Sequence, residues 1–270
     1  MRRVAWLTDV HLNFLGPEML KALDDVVRGA EPDALLIGGD IDEAPGLTAC
    51  LRGMAERLPC PVYFVLGNHD FYRGSIATVR REAADICREV PRLTYLTTLT
   101  AAQVVELTPR VGLVGHDGWA DGRAGDYWSS DVFLNDYFLI EELAEPLTQE
   151  ERLRRLNGLG DEAAEHVRRV LPSALERYSR VLVLTHVPPF REACWYQGRT
   201  SDDNWSPHFT CVAMGEAIRE VAARYPHRQI TVLCGHTHGA GEARIGDNIQ
   251  VLTGGAEYGR PEIQRVFELE

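Results

Sequence analysis

The chain has 270 residues, 45% hydrophobic and 25% charged, with no low-complexity tract, a formal charge of −12 and a pI of about 5.2. That composition excludes a disordered or fibrous polymer, and the acidic balance argues against a grip on long duplex DNA, which needs a basic footprint. It does not exclude an anionic substrate, because bound cations can invert the local sign.

Short apolar runs recur along the chain. They are Val4–Leu7, Ala34–Ile37, Val62–Leu66, Val111–Val114, Val181–Leu184, Ile230–Leu233 and Ile249–Leu252. Each is four or five residues of mostly Val, Ile and Leu, as expected of strands buried on both faces. Helical spacing links Met19, Leu20, Leu23, Val26 and Val27, then Leu47, Cys50, Leu51, Met54 and Leu58, then Ile76, Val79, Ala83, Ile86 and Cys87. Gln149–Tyr178 reads as charged helix, with breaks expected at Asn157–Gly160 and at Pro172. Ile263–Leu269 reads as a final, antiparallel strand. The alternation predicts an α/β layered fold in a single domain spanning 1–270. Residues 116–131 and 187–211 fit neither period, hold four of the five tryptophans, and read as functional loops.

The six cysteines (50, 60, 87, 194, 211 and 234) form no C-x-x-C pair and no disulfide framework. The run Val4–Leu7 is too short for a signal peptide, and no stretch reaches the ~20 apolar residues of a membrane span. The expectation is a cytoplasmic protein with no membrane contact.

The chemistry-bearing residues sit where strands end. Thr8-Asp9-Val10-His11 follows the first run, Gly38-Gly39-Asp40 the second, Gly67-Asn68-His69-Asp70 the third. His186 follows Val181–Leu184, and Gly235-His236-Thr237-His238-Gly239 follows Ile230–Leu233. Sites in α/β sheets collect beyond the carboxyl ends of strands. Residues two apart share a face of extended backbone, so Asp9 with His11, and His236 with His238, can aim together. Carboxylate, amide oxygen and imidazole suit borderline divalent metals. Seven such groups exceed one tetrahedral site and suit two ions if a carboxylate is shared.

In this order and after strands, D-x-H, GD, GNHD, H and GHTH resemble the calcineurin-like metallophosphoesterase superfamily, over Asp9 to Gly239. The resemblance implies a two-sheet β-sandwich flanked by helices, a four-layer α/β/β/α arrangement. It implies that Asp9, His11 and His238 bind one metal, that Asn68, His186 and His236 bind a second, and that Asp40 bridges them. It further implies that His69 protonates the leaving group and that Asp70 orients His69. The ions would be manganese or iron, with zinc, nickel or cobalt also compatible. The expected reaction is hydrolysis of a phosphodiester or phosphomonoester of a small molecule, nucleotides included. The rival from another class is a scaffold that keeps the fold without catalysis.

Asp40 is followed by Ile41-Asp42-Glu43-Ala44, and Leu66 precedes Gly67. Neither arginine of the phosphoprotein phosphatase patterns GD-x-x-D-R-G and R-G-N-H-E therefore has a counterpart. Arg73 and Arg191 are candidate phosphate contacts by nearness in sequence, and His116-Asp117 reads as a turn after a strand. Tryptophans of the two loops read chiefly as loop anchors, with stacking on a substrate as the sharper alternative.

Overall fold

A computed structural model describes residues 1–270. Every apolar run singled out above is a strand. Two sheets result. The first runs, in spatial order, Arg265–Leu269, Arg2–Leu7, Ala34–Gly38, Val62–Val65 and Leu93–Tyr95. Its last four strands are parallel and Arg265–Leu269 is antiparallel to Arg2–Leu7. The second runs Gly241–Ile245, Ile249–Thr253, Gln229–Cys234, Arg180–Leu184, Val111–Gly115 and Val105–Thr108. Its four central strands are parallel, and the two outermost are antiparallel to their neighbours.

The sheets face each other. Alternation sends Val4, Trp6, Ala34 and Leu36 into the shared interior, where they meet Leu113, Leu182, Leu184 and Leu233. Ala5, Leu7, Leu35 and Ile37 point the other way, under helices Pro17–Gly29, Ala44–Arg57 and Ile76–Glu89. The outer face of the second sheet is covered by Gln149–Arg177 and Val212–Arg224. The order is therefore helix, sheet, sheet, helix.

Two expectations about the long helix are corrected. Gln149–Arg177 runs 29 residues without the breaks expected at Asn157–Gly160 and Pro172. Pro172 removes one N–H, but Leu171, Ala174 and Leu175 around it are fully buried, and that packing outweighs the local preference. Gly160 sits so close to Asp121 that a Cβ would lie 2.6 Å from that side chain, and the Asn157 amide donates to the Asp121 carbonyl at 2.6 Å. Here glycine serves close approach rather than a break. No helix is long and apolar enough to cross a membrane, and all six cysteines are free.

His116 and Asp117 do not enter the site. Asp117, with no solvent exposure, accepts from Arg80 Nε (3.0 Å), Tyr95 Oη (2.6 Å), Thr97 Oγ1 (2.7 Å) and the Leu66 amide (2.9 Å). Its carbonyl accepts the His186 amide at 2.9 Å. Asp117 thus ties together the segments that lead to Asn68 and His186. Removing one partner of a buried, hydrogen-bonded ion pair typically costs ~3–5 kcal/mol. Asp117→Ala is expected to lose stability on that scale in urea denaturation; a loss below about 1 kcal/mol would show that the network does not hold the two strand ends.

Candidate metal centre

The segments carrying Asp9, His11, Asp40, Asn68, His69, His186, His236 and His238 all leave the carboxyl ends of parallel strands, at one end of the sandwich. Their side chains converge in two groups. In the first, ligand-type atoms of Asp9, His11, Asp40 and His238 all lie within 4.8 Å of one another. His11 Nε2 is 3.2 Å from His238 Nε2 and 3.7 Å from Asp40 Oδ2, and His238 Nε2 is 3.5 Å from Asp9 Oδ1. In the second, His186 Nε2 lies 3.1 Å from Asn68 Oδ1, 3.2 Å from His236 Nδ1 and 3.4 Å from Asp40 Oδ1. His236 Nδ1 is 3.0 Å from Asn68 Oδ1. Asp40 thus turns one oxygen to each group. All seven side chains expected to converge do so.

The convergence does not come from extended backbone, as the two-residue spacings suggested. Asp9, His11, Asp40, His236 and His238 have φ of 50°, 43°, 51°, 69° and 56°. Five non-glycine residues in the left-handed region, at a cost of order 1–3 kcal/mol each, mark a locus where the fold overrules local preference. Left-handed turns thus follow three of the five strand ends, whereas Asn68 is in the right-handed helical region and His186 is not among the positive-φ residues.

The donor set fits a cation. His186 Nδ1 lies 2.8 Å from the Gly38 carbonyl, and His236 Nε2 lies 2.9 Å from the His208 carbonyl. Those nitrogens carry the protons, which leaves His186 Nε2 and His236 Nδ1 as bare acceptors in the neutral rings. Asn68 spends its NH₂ on Asp136 Oδ1 (2.8 Å) and Tyr72 Oη (3.3 Å), so its oxygen also faces inward. With both rings neutral, two imidazole lone pairs, an amide oxygen and a carboxylate oxygen meet, and the only donor the cluster could hold is a proton on His186 Nε2. Burial pushes His11 and His236 down to about 4, against the pull of Asp40 and Asp9, so both are neutral near pH 7. Burial acts on His186 in the same sense, but the Asp40 and Asp9 carboxylates prevail and raise it. A group of acceptors this tight calls for positive charge at its centre.

The outer partners are mostly backbone amides. Asp9 Oδ1 accepts from the His236 amide (2.9 Å) and Oδ2 from Thr8 Oγ1 (2.6 Å); Asp40 Oδ1 accepts from the His69 amide (2.9 Å). Asp70 is a correction. Its carboxylate accepts from the amides of Ile41 (2.8 Å), Asp42 (3.0 Å) and Gly67 (2.7 Å), not from the His69 ring. It fastens the Asp40 turn to the Asn68 turn. The His69 ring instead lies against Tyr72 (4.3 Å between centroids), His11 (4.7 Å) and Tyr258 (6.3 Å).

Neither arginine considered for phosphate lines the site cavity. Arg73 pairs with Glu43 (2.9 Å) and Arg191 with Asp203 (2.7 Å), both on the surface. Sequence reasoning also missed residues that do matter here. Asp136 is buried and receives Asn68 Nδ2 and Tyr72 Oη, the latter at 2.8 Å. His208 supplies the carbonyl beneath His236, while its ring bridges Ser130 and Tyr137. Tyr258 lies over His11 (4.6 Å) and His238 (5.1 Å). None carried a period or motif, and only their proximity in the fold reveals them.

The sequence profile of the calcineurin-like phosphoesterases matches residues 2–240. The chain belongs to that family. A Caenorhabditis elegans protein that bears the metallophosphoesterase name is 33% identical over 79 residues, 27% of this chain and 16% of its own length. The chain thus matches only a small part of that relative. Among solved structures, the phosphopantetheinyl hydrolase PptH of Mycobacterium tuberculosis superposes with a TM-score of 0.64 at 14% identity, covering 95% of this chain and 89% of that one. A dimetal phosphatase of Danio rerio gives 0.51 at 15% identity, covering 94% and 87%. At such identities the likeness is one of fold, and the fold is that of the metallophosphoesterases.

A Cβ on Gly235 would fall 1.9 Å from Asp9 Oδ2 and 2.2 Å from Thr8 Oγ1. Gly235→Ala is therefore expected to displace the Asp9 carboxylate and weaken metal binding by about 10–100-fold, the scale of losing an orienting partner, with a native circular dichroism spectrum. Unchanged metal affinity by titration would contradict this placement of Asp9.

Proposed function

We propose that this family member hydrolyses a phosphate ester of a small molecule, nucleotides included, at a pair of divalent cations. The carrying observation is the meeting of ligand-type side-chain atoms in two tight groups on either side of Asp40. Asp9, His11 and His238 would hold one cation, Asn68, His186 and His236 the other, and Asp40 would hold both. Nitrogen and oxygen ligation of this kind suits manganese or iron, and admits zinc, nickel and cobalt. When bound, two such cations stabilise charge in an in-line displacement at phosphorus and make water acidic enough to attack near neutral pH.

The chain's own groups do the rest. The amide donors on Asp9 and Asp40 fix the carboxylates before substrate arrives, so little reorganisation is left to the reaction. The Gly38 and His208 carbonyls fix the tautomers of His186 and His236. The His69 ring makes no hydrogen bond within the protein and lines the cavity above the centre, a position from which it can give a proton to the departing oxygen. That cavity, about 250 Å3, suits part of a small molecule.

Asp40→Ala is expected to lower metal content below one ion per chain, measured by elemental analysis, and to abolish hydrolysis of both bis(p-nitrophenyl) phosphate and p-nitrophenyl phosphate. Two ions retained with normal turnover would end the assignment. His69→Ala is expected to keep both ions and to slow alkyl esters by roughly 10²–10⁴-fold while p-nitrophenyl esters lose far less. Equal losses for good and poor leaving groups would remove His69 from proton transfer.

A further inference from the structure

The cavity above the centre has an aromatic side wall that the hydrolytic reading does not use. Phe209 sets its edge against the His236 ring at 5.3 Å and 86°. Trp205 stacks on Phe209 at 5.2 Å and 29°, and Tyr196 lies 5.3 Å from Trp205 at 34°. The wall therefore leads continuously from a candidate ligand outward. Its residues come from the irregular segment after Phe190: Tyr196 from the short hairpin Trp195–Tyr196 and Arg199–Thr200, Trp205 and Phe209 from the start and end of the turn of helix Ser206–Phe209. None of the three joins the apolar cores beneath and between the sheets. Trp119 is buried against Phe71, whereas Trp205 remains partly exposed and lines the cavity.

The rest of the lining contains no lysine or arginine. No Lys or Arg charge there would pair with an anionic group beyond the phosphate. It does contain Thr237, 2% exposed, whose hydroxyl finds no partner within the protein. A cavity that combines a stacked aromatic wall with an unpartnered hydroxyl in its lining suits a flat ring with polar edges.

The geometry points to a substrate whose organic part carries an aromatic ring, of the nucleobase type, seated on Trp205, Tyr196 and Phe209. This deepens the proposed hydrolysis and rests on it for turnover, but not for binding. Ring recognition by stacking is tolerant of base identity, so selection among bases would be weak.

The test compares adenosine 5′-monophosphate with ribose 5-phosphate, and the methyl diester of each, on the manganese-loaded protein. Affinity is read by calorimetry and kcat/KM by product formation. The base is expected to improve affinity and kcat/KM by about 5- to 150-fold, the range for stacking one base. Trp205→Ala is expected to bring that ratio close to one and Trp205→Phe to restore part of it, with Tyr196→Ala intermediate. A wild-type ratio near one, or a ratio that survives Trp205→Ala together with Tyr196→Ala, overturns the inference. Failure to hydrolyse any of the four esters would instead count against the proposed reaction, while the affinity ratio would still decide the aromatic subsite.

Discussion

The organising constraint of this molecule is electrostatic. At one end of a two-sheet sandwich, acceptor atoms from five separate chain segments are pressed together at 3.0 to 3.7 Å with almost no donor between them. Left alone, such a cluster repels itself and forfeits solvation, and burial makes both effects worse. It is tolerable only because the fold holds it from outside and because a cation can occupy its middle.

The outside support is mainly backbone. Amides of His236 and His69 hold Asp9 and Asp40, and three amides converge on Asp70. Asp117 ties the strand ends leading to Asn68 and His186. These contacts explain how five side-chain-bearing residues persist at positive φ. Strain that would be lost in an isolated turn is over-determined here by bonds from several elements at once. Carboxylates anchored in this way present a fixed charge to whatever binds.

The proposed recognition of the substrate's organic part would fall on a different kind of backbone. The strand ends that form the centre belong to the rigid sandwich, whereas the aromatic wall belongs to a loop of irregular backbone between Phe190 and Cys211. The two parts meet at His236, whose ring lies against Phe209 and whose Nε2 faces the His208 carbonyl of the same loop. The loop can vary without disturbing the Asp40 turn, which is the usual division between scaffold and loops.

The sequence alone determined the seven central strands, because runs of Val, Ile and Leu buried on both faces leave an unambiguous trace, but not the edge strands Leu93–Tyr95, Val105–Thr108 and Gly241–Ile245. It also determined the seven converging residues, because each follows such a run. The tertiary structure decided the rest. It alone showed that left-handed turns, not shared extended faces, bring Asp9 to His11 and His236 to His238. It assigned Asp70 to backbone amides instead of His69, and carried the long helix through Pro172. Asp136, His208 and Tyr258 were invisible beforehand because their roles depend on neighbours at least 20 residues away, and a one-dimensional pattern records periodicity, not proximity. The same holds for Trp205: its identity is in the sequence, but whether it anchors a loop or faces a cavity is settled only by what packs beside it.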